Sequence, residues 1–86
     1  MLNAAFAEKY QHGTDLLVEK RYAEAMDAFR AALNWKSTSV EAHNNLGIAL
    51  ASAGRMDEAI EEFKQALAIE PEFEDARRNL ATATRR

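Results

Sequence analysis

Two histidines, His12 and His43, are the side chains of this 86-residue chain most suited to proton transfer or metal binding. Either role needs further ligands or an orienting partner. Neither histidine has such a set at recognisable spacing, so both read as structural residues. The chain has no Cys, which excludes a disulfide framework, a thiolate metal site and thiol chemistry. Carboxylates are more plentiful. Asp27, Glu61 and Glu62 fall on the outer faces of amphipathic segments, where solvation is expected. Glu70, Glu72, Glu74 and Asp75 cluster ahead of the last apolar stripe. They lack the Gly-punctuated spacing of a calcium loop and are expected to cap a helix. Arg85 and Arg86 form a basic end too short to argue for nucleic acid. No nucleophile–base pair, phosphate loop or ligand set is assembled. The expectation is a chain that is not an enzyme and carries no cofactor and no metal.

The charge balance narrows the partners. Eleven Lys and Arg stand against 14 Asp and Glu, a net charge of −3. Mixed signs with a slight acidic excess make nucleic acid and anionic membrane poor partners. No apolar run approaches the roughly 20 residues of a membrane span. The start, Met1-Leu2-Asn3-Ala4-Ala5-Phe6, lacks the basic region and apolar core of a signal peptide, and a cytoplasmic location is the default expectation. One Pro and three Gly are too few breakers for an all-β chain.

The elements that must position any site follow from a repeat. Sliding the chain by 34 residues places Gly13 on Gly47, Leu16 on Leu50, Arg21 on Arg55 and Glu24 on Glu58. Ala25 then meets Ala59, Phe29 meets Phe63, and Ala32 meets Ala66. A second shift places Ala42 on Ala76, Asn45 on Asn79, Leu46 on Leu80 and Ala49 on Ala83. The units are residues 6–39, residues 40–73 and a truncated 74–86 in a single domain. Each full unit is two amphipathic helices. In the second, Glu41 to Ala53 is one helix, with Thr38 and Glu41 as a capping box. Gly54 ends it in the left-handed region. Asp57 and Glu58 open the next helix, and Pro71 cannot continue it. The first unit reads from Phe6 to Glu19 and from Tyr22 to Trp35, with Lys20 in place of the stop Gly. Trp35 stands where the second unit has Ile69 and is expected in the core of the junction.

These residues resemble the tetratricopeptide repeat (TPR). The small Gly13 and Gly47, Ala25 and Ala59, the aromatics Phe29 and Phe63, Ala32 and Ala66, and Pro71 match in one register. The resemblance implies an all-α fold, a right-handed α-solenoid of antiparallel helix hairpins with five helices. The first repeat departs from the pattern at Lys9 and His12, where the family prefers large apolar residues. In the third unit, Ala76, Leu80 and Ala83 keep the side that faces the preceding hairpin. Arg77 and Thr84 stand on the unpartnered side, so 74–86 reads as a polar capping helix.

The resemblance also implies a concave groove lined by the first helix of each repeat, and a non-catalytic protein-interaction function. By position the lining is Tyr10, Thr14, Leu17 and Val18, then Glu41, Asn44, Asn45, Ile48 and Ser52, then Asp75, Arg78, Asn79 and Thr82. The partner would be a protein or peptide. The clamp for Hsp70 or Hsp90 C-terminal tails is not expected. Its positions hold Tyr10, Thr14, Asn45, Asp75 and Asn79, of which only Asn45 matches, and Asp75 would repel a carboxylate. A second reading is self-association through an uncapped N-terminal edge near Met1, Leu2, Phe6 and Tyr10, giving a homo-oligomer. A third is that the chain is the TPR piece of a larger protein.

Overall fold

A computed structural model describes residues 3–85. Five helices follow one another: α1 (Ala4–Val18), α2 (Tyr22–Trp35), α3 (Val40–Ser52), α4 (Met56–Ile69) and α5 (Glu74–Thr84). No strand occurs among the described residues. α1 and α2 form one antiparallel hairpin, α3 and α4 a second, and α5 packs on α4 and α3. The result is a slab of 40 × 27 × 16 Å.

The turns inside the two hairpins share one hydrogen-bond scheme. The amide of Arg21 donates to Leu16 O at 2.9 Å and that of Lys20 to Leu17 O at 3.0 Å. Arg55 repeats this with Leu50 O at 2.8 Å and Gly54 with Ala51 O at 3.0 Å. Each is a Schellman ending, which needs one residue at positive φ. Gly54 takes it at φ 83° and Lys20 at φ 62°. Past each turn, Arg21 and Arg55 hold Glu24 and Glu58 through two hydrogen bonds apiece, 2.6–2.9 Å long.

The hairpins close on glycine. Phe29 and Phe63 are fully buried, at 0 % and 2 % exposure. Their rings lie over Gly13 and Gly47, where a Cβ on Gly13 would sit 2.6 Å from the Phe29 ring. Around them pack Leu16, Ala25, Met26, Leu46, Ala49, Leu50 and Ala59. Tyr10 extends this core toward the N terminus, 5.9 Å from Phe29 and stacked on Phe6 at 5.7 Å.

Several expectations need correction. The cap of α3 is Ser39, not Thr38; its buried Oγ accepts from the Ala42 amide at 3.1 Å. Helix α3 therefore begins at Val40, one residue before Glu41. Asn3 caps α1 by accepting from the Phe6 amide at 3.0 Å, so that helix begins at Ala4 rather than Phe6. No side chain caps α5, whose N-cap residue is Phe73. Its acidic cluster instead pairs with arginines, Glu72 and Glu74 with Arg77 and Asp75 with Arg78. Trp35 is 58 % exposed rather than part of the junction core. It is the last residue of α2.

The outer face of α1 accounts for His12. In α3, Ala42, Leu46 and Ala49 are buried. The matching residues of α1 are Glu8, His12 and Asp15, all exposed. Among the described residues no helix packs on this face of α1 as α2 packs on α3, and the face is polar. Met1, Leu2 and Arg86, invoked above for the two ends, lie outside the described residues.

Candidate functional site

α1, α3 and α5 lie side by side and share one face. Their spacing turns the 34-residue offset into contact between neighbours one residue out of register. Asn45 Nδ2 donates to the Tyr10 hydroxyl at 2.9 Å, and Asn79 Nδ2 donates to Asn44 Oδ1 at 3.0 Å. Both pairs are 35 residues apart, one residue more than the offset. The result is a ladder of amide donors running across the three helices. Its acceptors, Tyr10 and Asn44, stand at equivalent positions in successive repeats, and Arg78 occupies the third.

This ladder sorts the expected lining residues. Asn44 is 4 % exposed and is spent on Asn79. It positions α5 and cannot face a partner. Asn45 and Tyr10 are half-buried and engaged with each other. Thr14 donates to its own helix at Gln11 O, 2.9 Å. Leu17 is half-buried against the core, whereas Val18 is 83 % exposed at the helix end. Asp75 and Arg78 are exposed and paired with each other at 2.7 Å. Glu41, Ser52 and Thr82 are exposed, and Ile48 and Asn79 are half-buried.

A cavity of about 160 Å³ opens where α3 meets α5. Ile48, Ala51, Met56 and Phe63 form its apolar wall, with Ala83 from α5. Ser52, Asn79 and Thr82 supply its polar groups. Four of these residues, Ile48, Ser52, Asn79 and Thr82, belong to the lining expected from the sequence.

Glu41 and Tyr10 interact electrostatically on this face. Burial pushes the Tyr10 phenol above its ordinary value, and the Glu41 carboxylate adds to this; the Asn45 amide opposes both. Glu41 itself makes no ion pair among the described residues, unlike Asp75.

His43 has partners that sequence spacing did not reveal. Nδ1 lies 2.8 Å from Glu62 Oε1, and Nε2 lies 2.8 Å from the Ser37 carbonyl. Glu62 is thus a half-buried strut between α4 and α3, not a solvated outer carboxylate. His43 ties the α2–α3 turn to α4, with a carboxylate oxygen at one ring nitrogen and a carbonyl oxygen at the other.

A family model described as the tetratricopeptide repeat matches residues 40–73. The chain is a tetratricopeptide-repeat protein. Its relatives include the peroxisomal targeting signal receptor of Kluyveromyces lactis, 36 % identical over 72 residues, 84 % of this chain and 13 % of the receptor. The receptor of Saccharomyces cerevisiae is 35 % identical over 63 residues, 73 % of this chain and 10 % of the receptor. The TPR chain thus spans only a small part of these receptors' length. Among solved structures, MamA superposes with a TM-score of 0.89 at 25 % identity, over 92 % of this chain and 46 % of that one. The Sgt2 TPR domain of Aspergillus fumigatus gives 0.87 at 22 % identity, over 91 % and 52 %, a likeness of fold. The solenoid of antiparallel hairpins is that of these TPR structures. Among the described residues no helix is long and apolar enough to cross a membrane.

Proposed function

We propose that this TPR domain is a non-catalytic interaction module that holds a segment of a partner protein against the face shared by α1, α3 and α5. The cavity between α3 and α5 carries this reading. It is concave, largely apolar and edged by amide and hydroxyl groups, the composition of a small recognition site. The relatives named as receptors for a targeting signal support a peptide as the ligand class. The residues proposed to touch the partner are Glu41, Ile48, Ser52, Asn79 and Thr82, with Tyr10, Thr14, Leu17, Asn45 and Arg78 beside them. Asn44 is left out because it is buried.

Self-association draws less support. Phe6 and Tyr10 are used inside the fold, and the face of α1 that would meet another copy bears Glu8, Gln11, His12 and Asp15.

The test is selection of peptides from a random displayed library on the whole chain, followed by binding to variants. Ser52→Arg places a cation at the cavity rim without disturbing a buried group. Selected peptides should bind the wild type and lose most of their affinity for this variant, with circular dichroism melting unchanged. Peptides that bind both proteins equally, or a library that yields none, would overturn the groove assignment.

A further inference from the structure

The two junctions of the solenoid are built on the same plan but are filled differently. At the first, Leu17 and Ile48 pack against the core. Their counterparts at the second, 34 residues later, are Ala51 and Thr82. Both line the 160 Å³ cavity. The cavity is therefore the space that a Leu and an Ile occupy one repeat earlier. None of its lining residues is charged, so it favours an uncharged occupant. Of the charged residues on the same face, Asp75 and Arg78 pair with each other, whereas Glu41 makes no ion pair among the described residues and acts on the Tyr10 phenol. Glu41 lies seven to eleven residues before Ile48 and Ser52 on α3. At about 1.5 Å rise per residue this is roughly 10–16 Å along the helix. An extended chain covers that distance in about three to five residues at roughly 3.3 Å each.

We infer that the partner is an extended peptide segment that seats one aliphatic side chain in the cavity and sets a Lys or Arg three to five residues away against Glu41. The inference rests on the groove reading and specifies its ligand. The apolar contact supplies most of the affinity, because the cavity is partly enclosed, whereas Glu41 is exposed and its pair is screened by water. Charge complementarity sets the direction of the segment. An anionic residue in the same place would meet Glu41 in a protein already at −3.

The same displayed library tests this without knowledge of the natural partner. Peptides enriched on the wild type should share an aliphatic residue and a basic residue three to five positions apart. Ala51→Leu with Thr82→Ile copies the filling of the first junction, so the fold is expected to accept it. That variant should bind the selected peptides at least roughly tenfold more weakly. Glu41→Gln should weaken them roughly two- to fivefold, and replacing the peptide's basic residue with Gln should abolish that difference. Enriched peptides without the pair, or peptides whose binding survives filling of the cavity while Ser52→Arg still removes it, would overturn the inference and leave the groove reading standing. A library that yields nothing would overturn both.

Discussion

The side-chain amide of Asn45 donates to the Tyr10 hydroxyl across 2.9 Å, joining α3 to α1. The bond is part-buried and links residues of adjacent repeats. Such a bond contributes about 1 kcal/mol net. Asn45→Ala should therefore lower stability by about that amount, as should Tyr10→Phe. The double variant should lose less than the sum of the two, because both remove one bond. Urea denaturation of the three variants checks the coupling, and strict additivity would refute it. Asn45 is consequently a poor choice for a mutation meant to affect binding alone.

Gly47 lies under the Phe63 ring, and a Cβ there would overlap the ring carbons. Gly47→Ala should add overpacking of about 1–3 kcal/mol. Helix propensity returns about 1 kcal/mol, leaving a net loss of up to about 2 kcal/mol. Phe63→Leu in the same chain should relieve part of the clash. The measurement is the midpoint of denaturation, and a Gly47→Ala protein more stable than wild type would contradict the packing.

Lys20 holds the left-handed conformation that Gly54 holds one repeat later. A side chain there costs about 1–2 kcal/mol that glycine does not. Lys20→Gly should raise stability by about 1 kcal/mol. Gly54→Lys should lower it by a similar amount, although nothing lies within 4 Å of a Cβ at Gly54. Thermal melts of the pair should move in opposite directions.

Arg55 holds the Glu58 carboxyl below its usual range of about 4.5 through two hydrogen bonds, with Arg30 assisting. A folded pKa below the unfolded one adds stability that is present above the unfolded value. That stability is lost as pH falls through the folded value. Glu58→Gln should therefore melt lower than wild type near neutral pH, and the gap should close as pH falls below 4.5. A gap that stays constant into acid would remove the linkage.

Trp35 is largely exposed. Trp35→Ala should change stability by no more than about 0.5 kcal/mol, and the native indole should be readily quenched by iodide. A large loss of stability would restore it to the core.

The helices were legible in the sequence because each hides its own period. Phe29 and Phe63, with Gly13 and Gly47 beneath them, recur at one offset, and that offset alone implies stacked hairpins. Tyr22–Trp35 was placed to the residue. The cap of α3 was not, because Thr38 and Ser39 both carry a hydroxyl; only the backbone at Ser39, extended at ψ 108°, aims that oxygen at the Ala42 amide.

The candidate site divides in the same way. The amino-acid sequence by itself determined which helices share a face, since residues 34 apart fall on equivalent positions of successive repeats. It could not tell that Asn44 is consumed by Asn79, that His43 leans on Glu62, or that Trp35 is largely exposed. Those depend on how far each repeat is displaced and rotated against the last. Periodicity reports the order of the faces, whereas hydrogen-bond reach and cavity volume depend on distances of a few ångströms. Only the packed solenoid shows that Ala51 and Thr82 leave empty what Leu17 and Ile48 fill.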